Sequence, residues 1–142
     1  MDLALIEAQA AAAAGEVPVG CVIVRNGGTI AKAFNRTLAD HDPTAHAEML
    51  AIRQAASAIG SERLTDCDLY VTLEPCAMCA AAISFARIRR LYYGAADPKG
   101  GGVENGVRFF SSPTCHHRPE VYGGIGEAAA AALLKEFFRE RR

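Results

Sequence analysis

The stretch Glu74-Pro75-Cys76-Ala77-Met78-Cys79 and its upstream partner His46-Ala47-Glu48 decide how this chain is organised. Two cysteines three positions apart on a helix lie on the same face, so Cys76 and Cys79 can bind one ion, and His46 would supply a third ligand. Three protein ligands without an evident fourth are typical of a catalytic zinc site with water at the open position, whereas structural sites usually have four. Glu48 is then free for proton transfer.

Helical geometry raises one conflict within this set. Residues two positions apart on a helix point roughly 200° away from each other, so His46 and Glu48 should not share a face. The conflict eases if the metal lies at a helix end. Pro43 suits the first helical position with Asp42 as its cap, and Pro75 suits the first position of the second helix. The sequence therefore predicts two helix N-termini pointing at the metal, where their positive ends favour thiolate over thiol.

Length, composition and charge are those of an ordinary globular protein. The 142 residues predict a single domain, residues 1–142, with 51% hydrophobic and 22% charged residues. An odd number of cysteines and a start without the basic region of a secretory signal favour the cytoplasm. No apolar run approaches the roughly 20 residues that span a bilayer, so we expect no membrane association. The net charge of −1 gives no general nucleic-acid signal.

Helical and strand patterns alternate along the chain. Helices are predicted at residues 1–14, 44–59 and 75–86 and from about residue 126 onward. Strands are predicted at residues 19–24, 29–34, 68–73 and 89–94. Asn26-Gly27-Gly28 predicts a hairpin turn between the first two strands, and strand, short helix, strand in succession predicts parallel neighbours. Residues 95–102 predict a surface loop, and residues 107–110 and 120–122 are ambiguous.

The spacing of apolar residues predicts the buried helix faces. The predicted stripes are Ala45, Met49, Ile52, Ala56 and Ile59 in one helix and Ala130, Leu133, Leu134, Phe137 and Phe138 in the last. Cys76, Cys79, Ala80 and Ile83 also form a stripe, which leaves open that both cysteines are core residues. The matching His46 and Glu48 favour the metal interpretation.

Two further clusters have competing interpretations. The last eight positions contain an excess of basic residues, which fits either a solvated helix end or contact with RNA; the basic residues are Lys135, Arg139, Arg141 and Arg142, against Glu136 and Glu140. Cys115-His116-His117 resembles a metal cluster. Adjacent residues seldom converge on one ion, so solvent-facing or substrate-contacting roles are favoured there.

Four stretches carry a family resemblance: Glu16-Val17-Pro18-Val19-Gly20, Phe34-Asn35-Arg36, His41-Asp42-Pro43-Thr44-Ala45-His46-Ala47-Glu48 and Val71-Thr72-Leu73-Glu74-Pro75-Cys76-Ala77-Met78-Cys79. Together they strongly resemble bacterial tRNA-specific adenosine deaminases, which belong to the zinc-dependent nucleobase deaminases with the signature His-x-Glu and Pro-Cys-x-x-Cys. The resemblance extends from about Glu16 to the C-terminus. The chain departs from the family pattern at Ala96, where a basic residue is common, and at residues 100–105.

The resemblance implies a three-layer α/β/α cytidine deaminase-like fold with a mixed central sheet of about five strands flanked by helices. It implies hydrolytic deamination of adenosine to inosine at the wobble position of a tRNA anticodon, most often an arginine tRNA, by zinc-activated hydroxide. One Zn²⁺ per subunit would be bound by His46, Cys76 and Cys79, with Glu48 as proton shuttle.

Substrate contacts and assembly also follow from the resemblance. Asn35 and the backbone at Ala47 would hold the flipped nucleotide, and the region of Phe138 and Arg139 would contact the tRNA anticodon stem-loop. The protein would be a cytoplasmic homodimer. These expectations come from the family and not from composition or spacing.

Two other function classes remain open. A deaminase of a free base or nucleoside, such as guanine or cytosine, uses the same metal chemistry in a closed pocket and needs no basic surface. A zinc-stabilised RNA-binding module without catalysis is disfavoured by Glu48, because a structural site has no use for an unliganded carboxylate. Zinc content combined with ammonia release distinguishes the two classes.

Overall fold

The structure of the chain, a computed structural model, describes residues 1–141, and Arg142 of the predicted basic end lies outside the described residues. Helices and strands alternate as the sequence predicts. The elements are α1 (Asp2–Ala13), β1 (Gly20–Arg25), β2 (Gly28–Phe34), α2 (Ala47–Ile59), β3 (Cys67–Leu73), α3 (Ala77–Phe85), β4 (Arg90–Ala95), a 3₁₀ helix (Phe109–Ser111), β5 (Glu120–Tyr122) and α4 (Glu127–Glu140).

The strands form one mixed sheet in the order β2-β1-β3-β4-β5. β1 is antiparallel to both β2 and β3, whereas β3, β4 and β5 are parallel to one another. Asn26 and Gly27, with φ of 52° and 78°, form the predicted hairpin turn between β1 and β2. The ambiguous residues 120–122 are the short edge strand β5. The predicted mixed sheet is therefore confirmed.

Helices cover both faces of this sheet. α2 packs on β1 and β2 with α3 beside it, and α1 and α4 pack against the opposite face. Two glycines allow the second layer to approach closely: a Cβ on Gly20 would lie 2.0 Å from the Ala4 carbonyl oxygen, and one on Gly94 would lie 3.0 Å from the Ala130 Cβ. The fold is the predicted three-layer α/β/α arrangement.

The buried face of α2 differs from the predicted stripe. α2 buries Ala47, Glu48, Ala51 and Ala55, whereas Met49, Ile52, Ala56 and Ile59 are only half-buried. Small alanine side chains let the helix lie close to the sheet, and this contact outweighs the burial of the larger side chains. In α4, Ala130 and Phe137 are buried, Leu133 and Leu134 are half-buried, and Phe138 is 49% exposed. The apolar face of α4 is therefore only partly covered.

The same helices bear on the question of membranes. Within residues 1–141, no helix combines the length and apolar character needed to cross a bilayer.

Candidate active site

His46 and Cys76 are the N-caps of the two site helices. His46 has an extended backbone (φ −76°, ψ 151°) directly before α2, and Cys76 (φ −71°, ψ 176°) directly precedes α3. The predicted helix starts at Pro43 and Pro75 are therefore wrong. Asp42 does not cap a helix, because its Oδ1 accepts hydrogen bonds from the N–H and the hydroxyl of Thr44 at 2.8 and 2.7 Å and closes a separate turn.

This cap geometry removes the conflict over His46 and Glu48. Because His46 is not helical, its side chain does not follow the helical spacing and can share a site with Glu48 in the first turn of α2. Cys79 lies in the first turn of α3. Both helix N-termini thus point at the centre, as predicted, and their positive ends favour bound anions and thiolates.

The three candidate ligand atoms form a compact triangle. His46 Nδ1 lies 3.6 Å from Cys76 Sγ and 3.6 Å from Cys79 Sγ, and all three atoms lie within 4.8 Å of one another. A tetrahedral zinc ion with bonds of about 2.1 Å to nitrogen and about 2.3 Å to sulfur separates these atoms by about 3.6 Å. The observed nitrogen-sulfur distances therefore fit a zinc ion.

Cys76 and Cys79 differ in the directions of their pKa shifts. Hydrogen bonds from Cys79 and His46 lower the pKa of Cys76 to about 4, although burial opposes this. The pKa of Cys79 is raised because its thiol donates to Cys76 and is buried. Both side chains can be thiolates together only when a positive charge lies between them, and a divalent metal ion would supply that charge. The donor set therefore fits a thiolate-binding metal.

Glu48 lies beside the ligands and is 4% exposed. Burial raises its pKa to about 7, and the neighbouring Cys76 adds to the rise whereas His46 opposes it. Glu48 and His46 both border one cavity of about 290 Å³. A buried carboxyl group at a cavity wall, beside a metal centre, can exchange protons with a bound molecule.

The predicted substrate residues Asn35 and Ala47 are joined to each other. The Asn35 Oδ1 accepts a hydrogen bond of 2.8 Å from the Ala47 N–H, and Asn35 borders the same cavity. This contact holds the Asn35 side chain against the start of α2. The oxygen of the Asn35 amide is used in the contact, and its NH₂ group can donate to a molecule in the cavity. Asn35 and Glu48 thus both border the cavity, and Ala47 is joined to Asn35 by this hydrogen bond.

The cavity continues into a larger surface groove of about 720 Å³. Val17, Leu73 and Asp97 border both spaces. Of the two predicted C-terminal contact residues, Phe138 lines this groove, whereas Arg139 pairs with Glu136 at 3.3 Å on the exposed side of α4. Arg141 lines the groove in place of Arg139. The Arg141 guanidinium carbon lies 3.5 Å from the centroid of the Phe137 ring.

Two buried glutamates that the sequence interpretation gave no role hold the loops around the cavity. Glu16 is 2% exposed and accepts hydrogen bonds from the Leu38 and Ala39 N–H groups at 3.2 and 2.9 Å. Glu74 is also 2% exposed and binds residues 97–105. Glutamate is rarely buried unless it is paired, and both residues occur inside the quoted motifs, which is the signal that could have identified them.

Two loop predictions have different outcomes. The surface-loop prediction for residues 95–102 is only partly right, because Gly101 and Gly102 are buried against Glu74 and the start of α3. In the Cys115-His116-His117 segment, the His117 Nε2 lies 2.7 Å from the Ile88 carbonyl oxygen. Within residues 1–141, one group of three side chains could hold a metal ion, formed by His46, Cys76 and Cys79. The Cys115-His116-His117 segment contributes no ligand to such a group.

Comparison with known families identifies the class of this site. The family described as the cytidine and deoxycytidylate deaminase zinc-binding region matches residues 1–95, which include α1 to β4 and all three candidate ligands. The fold and the three-ligand centre therefore define a zinc-binding deaminase domain.

Full-length relatives narrow this assignment. A tRNA-specific adenosine deaminase from Agrobacterium fabrum is 63% identical over 142 residues, which are 100% of this chain and 93% of the relative. A structure solved in biochemical and structural studies of A-to-I editing by tRNA:A34 deaminases has a TM-score of 0.93 and 63% identity, and the match covers 94% of this chain and 97% of the other. The chain belongs to the tRNA-specific adenosine deaminase family and is a hydrolytic deaminase.

A more distant neighbour shares the fold alone. A guanine deaminase from Nitrosomonas europaea has a TM-score of 0.83 at 24% identity, and the match covers 96% of this chain and 81% of the other. This likeness shows that the same architecture also occurs in an enzyme for a free base.

Proposed function

We propose that this chain deaminates adenosine to inosine at the wobble position of a tRNA anticodon, with an arginine tRNA as the expected substrate. The observation that carries the proposal is the 3.6 Å convergence of His46 with Cys76 and Cys79 beside buried Glu48, at a cavity that shares three lining residues with a larger groove. The 63% identical relative and the solved structure from work on wobble-position editing support this substrate.

The proposed reaction uses a zinc ion to activate water and Glu48 to transfer protons. His46, Cys76 and Cys79 would hold one zinc ion per chain, and such an ion supplies a Lewis acid that makes water nucleophilic near neutral pH. Glu48 takes the proton that the attacking water loses and donates it to the adenine ring nitrogen next to carbon 6. The hydroxyl group now on carbon 6 gives its proton to Glu48, which passes it to the amino group; the carbon–nitrogen bond breaks, ammonia leaves, and the oxygen on carbon 6 becomes the carbonyl group of inosine. Burial of Glu48 keeps this proton out of bulk solvent.

Asn35 and Ala47 would orient the base for this step. The Asn35 Oδ1 is already occupied by the Ala47 N–H, so its NH₂ group is available to an acceptor on the nucleotide. The contact ties the orienting amide to Ala47, which is next to Glu48 in the first turn of α2. This pairing supports the proposed substrate-binding role of both residues.

The groove favours a polynucleotide over a single base. It extends the cavity wall beyond Val17 and Asp97, and it presents an exposed aromatic ring at Phe138 and a guanidinium group at Arg141. Aromatic rings stack on unpaired bases and cations bind phosphates, which suits an anticodon loop with splayed bases. The proposed contact region at the end of α4 thus consists of Phe138 and Arg141, whereas Arg139 does not line the groove.

Free-base or nucleoside deamination is the second candidate. The cavity of about 290 Å³ would hold a single base without use of the groove, and the guanine deaminase neighbour shares the fold. The two candidates differ in whether the substrate needs a flanking strand.

Assembly and location are proposed on the family resemblance alone. We propose a homodimer that acts in the cytoplasm with one zinc ion per subunit. Light scattering of the zinc-loaded protein should give twice the 15.0 kDa chain mass. A monomeric mass at working concentration would contradict this assignment.

The substrate is tested by direct competition between the candidates. Zinc-loaded protein is incubated with an anticodon stem-loop that carries adenosine at the wobble position, and inosine is mapped by sequence. A matched stem-loop with the adenosine moved by one position is the control, and free adenosine, guanine and cytosine are assayed for ammonia. Inosine only at the wobble position is expected. Ammonia from a small molecule alone would discard the tRNA substrate.

A further inference from the structure

The Glu74 carboxylate receives five hydrogen bonds from one loop. The N–H groups of Val103, Glu104 and Asn105 donate to Oε2 at 3.1, 2.9 and 3.0 Å. The Asp97 N–H donates to Oε1 at 3.0 Å, and the Asn105 Nδ2 donates to the same oxygen at 2.7 Å. All five partners are donors, so both oxygens of the Glu74 side chain are acceptors and both are occupied.

The same loop packs closely on the start of α3. The Gly102 N–H donates to the Pro75 carbonyl oxygen at 2.8 Å, and a Cβ on Gly102 would lie 2.6 Å from the Ala77 nitrogen. A Cβ on Gly101 would lie 2.5 Å from the Glu74 Cδ. Only glycine fits at these two positions without a shift of backbone or buried carboxylate. The loop is therefore fixed to the helix that begins next to Cys76.

The other end of the loop forms part of the cavity wall. Asp97 and Gly100 border the cavity that contains His46 and Glu48. The Asp97 Oδ1 accepts hydrogen bonds from the N–H groups of Lys99 and Gly100 at 3.2 and 3.0 Å, which closes residues 97–100 into a turn. The Asp97 N–H, at the start of this turn, donates to Glu74 Oε1, and so joins the turn to the segment that leads into α3.

We infer that Glu74 is a positioning residue for the proposed reaction: by accepting the Asp97 N–H, its Oε1 holds the turn of residues 97–100 at the mouth of the substrate cavity. Glu74 acts through Asp97 and contributes no proton, because its oxygens already accept five hydrogen bonds. The inference rests on the proposed function, because its activity measurement uses the proposed substrate. The position of the turn can be measured without substrate.

Glu74→Gln tests this contact selectively. A glutamine oxygen at the Oε2 position still accepts the three backbone N–H groups, but its NH₂ group then faces the Asp97 N–H, donor against donor. The Asn105 amide can rotate to accept from that NH₂ group, whereas the Asp97 backbone cannot. We expect at least tenfold faster amide exchange at Asp97, Lys99 and Gly100, a KM for the stem-loop raised about tenfold, kcat within threefold and unchanged zinc content.

A double variant separates position from stability. In the double variant Glu74→Gln with Asn105→Asp, the carboxylate at position 105 accepts a hydrogen bond from the glutamine NH₂ group at position 74, which should restore the thermal stability. The Asp97 N–H still faces that NH₂ group, so its own contact is not restored. KM should therefore stay raised after the melting temperature recovers. Recovery of KM together with the melting temperature would reduce Glu74 to a structural role and overturn the inference.

Two controls complete the test. Asn105→Ala keeps the hydrogen bond between the Asp97 N–H and Glu74, so KM should stay unchanged. A rise in KM as large as that of Glu74→Gln would overturn the inference. This control applies even if the Glu74→Gln protein folds poorly. Glu62→Gln changes an exposed glutamate with an 86% exposed side chain and should change nothing. Unchanged exchange and KM in Glu74→Gln would also overturn it. If the wild-type protein forms no inosine, the proposed function fails, and the exchange measurement alone decides the positioning role.

Discussion

Replacement of Glu48 by glutamine should leave the metal centre in place and remove the proton carrier. The side chain keeps its size, and the three candidate ligand atoms belong to His46, Cys76 and Cys79. Glutamine can neither accept the proton of the attacking water nor return it to the base. The folded structure and the zinc content should therefore be those of the wild-type protein.

The size of the effect follows from the burial of Glu48. General acid-base catalysis contributes about 10²- to 10⁴-fold to a rate, which at about 1.36 kcal/mol per tenfold is about 2.7 to 5.4 kcal/mol of activation free energy. Glu48 is 4% exposed, so solvent cannot easily replace it as proton carrier. We therefore expect the upper half of this range, a loss of about 10³- to 10⁴-fold in kcat.

Single-turnover inosine formation on the wobble-adenosine stem-loop measures this loss, and metal analysis of the same preparation measures zinc. Glu62→Gln is the matched control, because the same chemical change is made at an exposed side chain. A kcat within tenfold of wild type would refute the proton-transfer role. Loss of zinc from the Glu48→Gln protein would instead place the carboxylate among the ligands.

Three further variants test other parts of the site. Cys76→Ala removes one of the three proposed metal ligands, so the zinc content and the rate of inosine formation should both fall to background; retention of zinc would contradict the proposed ligand set. Phe138→Ala with Arg141→Ala should weaken stem-loop affinity about tenfold at constant zinc content, as measured by filter binding, and unchanged affinity would rule out the α4 contact. Glu16→Ala leaves two backbone N–H groups of the 35–42 loop without their acceptor, so urea unfolding should show a loss of about 1 to 3 kcal/mol; a loss below 0.5 kcal/mol, roughly the least expected from one hydrogen bond, would argue against that role.

The candidate metal ligands could be selected from the sequence because their residue types and spacing are restrictive. His46, Cys76, Cys79 and the unliganded Glu48 form a set that few other sites share, and the structure brings all four together. The helix starts could not be predicted from the same residues. The Asp42 side chain has two possible uses, a helix cap or a turn with Thr44, and only the folded chain shows that it closes the turn.

Long-range contacts account for most of what the sequence did not reveal. The donors to Glu74 lie 23 to 31 positions along the chain, so no local pattern indicates that this carboxylate holds a loop. β5 is three residues long and pairs with β4 alone, which leaves almost no periodicity to recognise. In α2 the apolar stripe of the sequence predicts burial of the larger side chains, whereas the close approach of the helix to the sheet buries Ala51 and Ala55.

The most direct test of the central claim is wobble inosine formation by one preparation as isolated, after removal of zinc with a chelator, and after zinc is restored. The account predicts that activity disappears with the metal and returns as zinc approaches one ion per chain, while Cys76→Ala stays inactive throughout. Full activity in the metal-free protein, or no inosine from the zinc-loaded protein, would contradict it.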